Sequence, residues 1–253
     1  IDVGGESSRP GSKGVKTHYT FNQDGRLNMQ LSSIKSQQKK DTSITFYEYN
    51  RLGDIQLKRK SDGEGFYSYR YQYNTNKQII AQTYSRDVNL YKAKINFKLK
   101  KEYIIKTDSF SYESYGAEQT KKYFYNSYGI KFKEQINSFD KLGYLKTEYT
   151  KFIIGNNKQK LSYEYDQYRR LYKKHTFTNI SEGKKSTEIY SYDEIGNVLE
   201  IKYYRNEQHT STKQFLYANK TLLLSAIIIQ EISNNFLTII KYDYTFFDGS
   251  TNY

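Results

Sequence analysis

The chain has 253 residues and a formal net charge of +13, and only 36% of it is hydrophobic, with 29 Tyr and 14 Phe supplying much of that fraction. A single Pro excludes a Pro-rich linker or collagen-like protein, the aromatic content excludes a disordered one, and the lack of Cys excludes disulfides, thiolate metal sites and cysteine nucleophiles. Aromatic residues suit a half-buried pleated surface, whereas a helix-rich chain would carry more Ala, Leu, Glu and Met, so the composition predicts an all-β fold. The positive charge implies attraction to anionic surfaces such as nucleic acid, phospholipid head groups or acidic glycans, or else a solvated Lys face that protects sheet edges.

The opening segment, IDVGGESSRPGSKG, resembles the second-strand motif of dihydropteroate synthases. That resemblance implies Asp2 near a pterin pocket and Ser8, Arg9, Pro10 and Gly11 in a mobile loop over the second substrate. Such a site needs a (β/α)8 barrel, and the remainder of the chain shows no alternation of strands and helices. Residues 1–16 therefore read as a flexible Gly/Ser-rich tether and residues 17–253 as one β domain. The chain begins with Ile and lacks a basic-then-apolar leader, so a processed or truncated product is expected, its targeting signal lying upstream.

From residue 18 a phrase recurs in chain order: HYTFNQDG (18–25), FYEYNRLG (46–53), YQYNTNK (71–77), YFYNSYG (123–129), NSFDKLG (137–143), YEYDQYRR (163–170) and YSYDEIGN (190–197), with weaker copies at FLYANK (215–220) and IKYDY (240–244). Aromatics at i and i+2 point to one side of a strand. The Asn or Asp that follows starts a turn by bonding its own backbone, and Gly supplies the positive φ that ends it. The predicted turn residues are Asn22, Gly25, Asn50, Gly53, Asn126, Gly129, Asp140, Gly143, Asp166, Asp193 and Gly196.

Measured between the second aromatics, the spacings are 28 and 24, then 26, 27, 25 and 25 residues, each being two strands with two turns. The result is an antiparallel meander of hairpins forming an extended, twisted or partly coiled sheet, with the strands of residues 85–110 unplaced by the rhythm. The stretch GFYSYRYQYN puts Tyr67, Tyr69, Tyr71 and Tyr73 on one face and Ser68, Arg70 and Gln72 on a wet one. Near the end, LLLSAIIIQEISNNFLTIIKYDY reads as a hairpin about Asn234 and Asn235, buried on both faces. Its apolar run is too short and too polar for the roughly 20 residues of a membrane helix.

The repeated phrase resembles the YD repeat of Rhs and teneurin-type proteins over about residues 17–250. The resemblance implies long antiparallel β-ribbons, often in cell-envelope or secreted bacterial proteins, and for a chain of this length an open curved sheet. Asn in place of Asp, loss of Gly in two copies and Ala218 at a turn position depart from a regular solenoid.

Catalytic signals are weak. His18, His175 and His209 show no metal-ligand spacing, no Gly-x-Ser-x-Gly elbow is present, and Asp166 of the pair Glu164/Asp166 occupies a turn position. No cofactor and no enzymatic activity are expected. Tyr67, Tyr69, Tyr71 and Tyr73, together with Leu222, Leu224, Ile227, Ile229 and Phe236, are the candidate interaction surface, either as core or as contact for a partner. The expected function is a cell-envelope or secreted protein, including a lipid-anchored outer-membrane one, that binds other proteins as an accessory subunit. The alternative is a binding module for anionic glycan or nucleic acid that uses a Lys/Tyr-rich face.

Overall fold

The computed structural model describes residues 2–8, 15–35, 40–61, 65–88, 102–179, 183–218 and 222–245. Among them lie eighteen strands and no helix, and consecutive strands pair antiparallel, so the chain is an all-β meander. No helix is long and apolar enough to cross a membrane.

Two compact units divide the chain, residues 1–108 with 240–253 and residues 109–239. The first contains β1 (Asp2–Ser8), β2 (Val15–Phe21), β3 (Leu27–Lys35), β4 (Lys40–Tyr49), β5 (Ile55–Ser61), β6 (Gly65–Tyr73) and β7 (Ile79–Val88). The second holds the greater part of β8 (Tyr103–Tyr115) and then β9 (Gln119–Tyr125), β10 (Lys131–Phe139), β11 (Leu145–Phe152) and β12 (Lys158–Tyr165). It continues with β13 (Leu171–Thr178), β14 (Lys184–Tyr192), β15 (Val198–Arg205), β16 (Gln208–Tyr217) and β17 (Leu224–Glu231), and β18 (Phe236–Thr245) ends the strand order.

Three expectations need correction. Asp2–Ser8, placed in a flexible tether, form β1, which pairs antiparallel with β2 from Asp2 opposite Thr20 to Ser7 opposite Val15. The strand is held by its pairing with β2, whose Val15, Thr17, Tyr19 and Thr20 suit a pleated surface, in spite of Gly4 and Gly5, which disfavour a strand; the tether residues 1 and 9–14 lie outside the described ones. Residues 85–110 fall partly in β7 and β8, and 89–101 lie outside the description.

The third correction concerns which face is wet. Tyr67, Tyr69, Tyr71 and Tyr73 share a face as expected and are half-buried, but Ser68 opposite them is fully buried, while Arg70 and Gln72 are exposed. Register explains it: Arg59, Ser68 and Ser85 lie side by side across β5, β6 and β7, on the face that also carries the buried Ile44, Leu57 and Phe66. Their polar groups are satisfied locally. Arg59 Nε donates to Ser68 Oγ at 3.1 Å, and the Ser85 hydroxyl donates to Glu102, which also accepts from Arg70 Nη2 at 2.5 Å. Burial opposes ionisation of Glu102, but the bonds from Ser85 and Arg70 outweigh it and hold its carboxyl below the usual range.

The seven strong copies of the phrase end in the same reversal. The Asn or Asp N–H donates to the carbonyl four residues on, and the N–H three residues on donates back to the Asn or Asp carbonyl, at 22, 50, 74, 126, 140, 166 and 193. The residue that closes the turn has φ between 58° and 97° in all seven: Gly25, Gly53, Lys77, Gly129, Gly143, Arg169 and Gly196. Copies without Gly thus keep the left-handed conformation at a cost of about 1–2 kcal/mol. Beside six of these reversals the ladder register shifts just before the closing aromatic, for example between Thr20 and Phe21, a β-bulge repeated with the phrase.

Because a Cβ at Gly196 meets nothing within 4 Å, its substitution isolates the backbone effect. Gly196→Ala is expected to lower stability by about 1 kcal/mol and Lys77→Gly to raise it by about 0.5 kcal/mol, read as opposite shifts of the urea midpoint.

Candidate functional site

The antiparallel meander places alternate turns on opposite edges. In the second unit, one edge carries the turns at 140–144, 166–170, 193–197 and 218–223, spaced about 10 Å apart by two strand widths.

The turns at 140, 166 and 193 each centre on one side-chain oxygen. Asp166 Oδ1 accepts from the backbone N–H of Tyr168 and of Arg170, both at 2.9 Å, and Asp193 Oδ1 accepts from Ile195 and Asn197 at 3.1 and 2.7 Å. In four turns the second side-chain atom meets the side chain four positions on. Where the turn residue is Asp, that partner is a donor: Arg170 Nε to Asp166 Oδ2 at 2.7 Å and Asn197 Nδ2 to Asp193 Oδ2 at 2.8 Å. Where it is Asn, the partner is an acceptor, Asp54 for Asn50 at 3.2 Å and Gln78 for Asn74 at 2.8 Å. In these four turns the choice of Asn or Asp is matched to its partner, whereas Asn22, Asn126 and Asp140 have Arg26, Ile130 and Tyr144 at that place. Partial burial opposes ionisation of Asp166, but hydrogen bonds from Arg170 and its charge hold the carboxyl below the usual range.

Successive turns are stapled to each other by the closing tyrosine. Tyr49, Tyr73, Tyr165, Tyr192 and Tyr217 donate their hydroxyls to the carbonyls of Leu27, Ile55, Leu145, Leu171 and Val198 at 2.7, 2.7, 2.9, 2.7 and 3.1 Å. Each acceptor is the first strand residue after the preceding turn on that edge. The residue at Asn/Asp+4 adds a stack: Arg26 lies over Tyr49 at 5.7 Å, Arg170 over Tyr192 at 4.6 Å, and Tyr144 packs on Tyr165 at 5.2 Å. Burial, and then the Asp166 carboxylate, raises the Tyr192 phenol above its ordinary pKa, so it is a hydrogen-bond donor at neutral pH.

What the edge presents to solvent is apolar. The tip residue at Asn/Asp+2 is Leu142, Tyr168 and Ile195, exposed by 62%, 69% and 74%, and Leu222 of the next turn is 70% exposed. Exposed Lys141 and Arg169 adjoin the first two.

A second feature lies on a strand face of the same unit. A groove of about 520 Å³ is lined by Lys160, Lys173, His175, Phe177, Lys185 and Thr187 among others. Across β12, β13 and β14, Lys160, Phe177 and Lys185 form one row and Ser162, His175 and Thr187 the next. The His175 ring is fixed by Thr187 Oγ1 at Nδ1 (3.0 Å) and Glu164 Oε1 at Nε2 (3.2 Å).

The expected turn residues all occupy turns. The expected interaction surface is only partly available: Tyr67, Tyr69 and Tyr84 pack on each other with ring centroids 5.2–6.3 Å apart, and Tyr73 is engaged with Ile55. Of the C-terminal set, Leu222 and Phe236 are exposed and Leu224 and Ile229 half-buried, while Ile227 is buried against β16 opposite Phe215 and is withdrawn from contact. That hairpin does turn at Asn234 and Asn235, but it is not buried on both faces, since Ile232, Phe236 and Leu237 are about 40% exposed. Glu164 and Asp166 do not act together, one holding His175 and the other its turn. His209 bonds Thr212 and stacks on Tyr204, and no group of three metal-ligating residues exists among the described residues. Sequence reading missed the apolar tips and the hydroxyl staple; the signal for both was a large apolar residue two places after the Asn or Asp and a preference for Tyr over Phe at the closing position.

No family model matches the chain, and no curated protein matches it. Among solved structures the chain is similar to a porin-like protein from Bacteroides uniformis, with a TM-score of 0.47 and 12% identity over 96% of this chain and 95% of that one. It is also similar to a porin-like protein from Bacteroides vulgatus, with a TM-score of 0.34 and 14% identity over 80% of this chain and 94% of that one. TcdB2-TccC3-TEV matches with a TM-score of 0.28 and 13% identity over 90% of this chain, which spans 15% of it. The likeness is that of β-repeat proteins in general and assigns no family.

Two substitutions test the edge. Tyr192→Phe is expected to cost about 1 kcal/mol, the net worth of one hydrogen bond, by denaturant unfolding. Asn50→Asp sets two carboxylates against each other and is expected to cost about 1 kcal/mol at pH 7; adding Asp54→Asn, which restores a donor and an acceptor, returns the unfolding midpoint toward that of the unaltered protein.

Proposed function

We propose that the protein is a non-enzymatic YD-repeat protein of the Rhs and teneurin type, located in the cell envelope or secreted, that acts by presenting its surface to other proteins as an accessory subunit of an outer-membrane complex. The observation that supports this most is the row of exposed apolar tips, Leu142, Tyr168 and Ile195 on turns braced by an Asp side chain, with exposed Leu222 beyond them. Water-facing loops ordinarily place polar residues at such tips, and regularly spaced exposed apolar residues on one edge offer a partner a set of anchors. The braced turns hold the row in register before any partner arrives, so little ordering entropy is lost on binding.

A second reading, a module that binds anionic glycan or nucleic acid, is favoured by the net charge of +13 and by the lysine-lined groove.

Photo-crosslinking residues placed at 142, 168 and 195 in the native cells, with exposed position 146 on β11 as control, test the first reading. The expected result is cross-linking of one and the same protein from all three tips and not from 146. No cross-linked protein, or the same yield from 146, overturns it.

A further inference from the structure

We infer that the groove over β12, β13 and β14 is a binding site for one ring of an anionic saccharide, a reading that rests on the second of the two above. Phe177 is 42% exposed at the centre of the groove, and its cross-strand neighbours on either side are Lys160 and Lys185. An exposed aromatic ring with a cation on each side offers an apolar platform between two positive charges. A pyranose ring is a matching cover, because its face of C–H groups packs on an aromatic ring while a carboxylate or sulfate on its rim reaches an ammonium group.

The distances suit one sugar. Lys160 and Lys185 stand on strands two apart, so their Cα atoms are separated by about 10 Å, which leaves a ring's width over Phe177. One row further along, Ser162, His175 and Thr187 line the groove with groups that bond sugar hydroxyls, and Tyr204 beside Thr187 closes its far wall. His175 is held in place by Thr187 and Glu164.

Charge is available for a ligand. Lys174, on the opposite face of β13, is paired with Glu188 at 2.8 Å, whereas Lys160, Lys173 and Lys185 make no ion pair among the described residues. The acidic groups at the site are Glu207 on its lining and Glu164 on His175, so three lysines stand against two carboxylates of which one is engaged. The groove sets Phe177, Ile189 and Tyr204 among convergent polar and charged side chains, a lining suited to a hydroxyl-rich anionic ligand. Nucleic acid fits it less well, since a single exposed ring offers no succession of stacking platforms.

Titration calorimetry of the full chain at low salt decides the matter. The probes are an oligogalacturonate tetrasaccharide, a heparin-derived tetrasaccharide, neutral maltotetraose and a 12-nucleotide single-stranded DNA. The expected result is binding of one or both anionic sugars and not of maltotetraose, with at least tenfold loss in Phe177→Ala and in Lys160→Ala/Lys185→Ala; the two sugar probes separate carboxylate from sulfate recognition. All three positions are exposed, and far-ultraviolet dichroism checks that the variants keep the fold. Binding of anionic sugars that survives both variants overturns the site while leaving the broader anionic reading standing. Failure of every anionic probe overturns both. Equal binding of maltotetraose, or tighter binding of DNA that the same variants abolish, also overturns the saccharide assignment.

Discussion

Six of the seven reversals depend on one side-chain oxygen accepting two backbone N–H groups that the turn would otherwise leave without a partner, and at Asn22 the oxygen accepts from Arg26. Such groups are costly to leave unmet, on the order of 1–3 kcal/mol when shielded from water, so the Asn or Asp does more than favour a bend. It fixes where the next strand begins. With that start fixed, the bulge before the closing aromatic follows, and with the bulge the tyrosine hydroxyl comes within reach of the carbonyl of the previous turn on the same edge, as in Tyr192 to Leu171. Local turn chemistry and long-range stapling are thus the same device, repeated about every 25 residues.

The other half of the problem is how a chain with so few aliphatic residues keeps a sheet together. Among the described residues only Ile44, Leu57, Phe66, Phe124, Ile201 and Ile227 are buried hydrophobics. Stability must come from cross-strand pairs on half-buried faces, and lysines take part in them. Lys122 lies within 4.3–5.2 Å of the rings of Phe110, Tyr112 and Phe124, and Lys133 lies 3.6 Å from the Phe124 ring. The alkyl stems cover aromatic surface while the ammonium groups face ring π-clouds. Burial, and then Lys133, lowers the pKa of Lys122, the price of holding two cations over one aromatic cluster. Composition rich in Tyr and Lys is therefore a structural choice as well as an electrostatic one.

The all-β meander and the turn positions were legible in the sequence because both depend on residues within about eight positions of each other: paired aromatics, then Asn or Asp, then a residue that tolerates positive φ. What depends on neighbouring strands was not legible. Ser68 reads as wet by alternation alone, yet Arg59 and Ser85 flank it and it is fully buried. Ile227 reads as surface or core with equal ease until its register opposite Phe215 is known. Residues 2–8 read as tether from their Gly and Ser, but a strand with a ready partner in β2 needs little side-chain preference of its own. The groove has no sequence signature at all, since Lys160, Phe177 and Lys185 come from three strands and meet only through register.

The two candidate surfaces differ in what the fold requires of them. A tip residue at Asn/Asp+2 points away from the turn, and its backbone N–H, not its side chain, is what the turn uses; Asp24 and Asn76 hold the same position in other copies with polar side chains. The turn geometry is indifferent to the choice, so Leu142, Tyr168 and Ile195 are not explained by folding. Phe177 and its flanking lysines are likewise dispensable for the ladder, which is made by backbone groups. Residues that the architecture does not need are where selection for binding leaves its mark, and exposed apolar tips recur at Leu52 and Tyr128 as well as along that edge of the second unit.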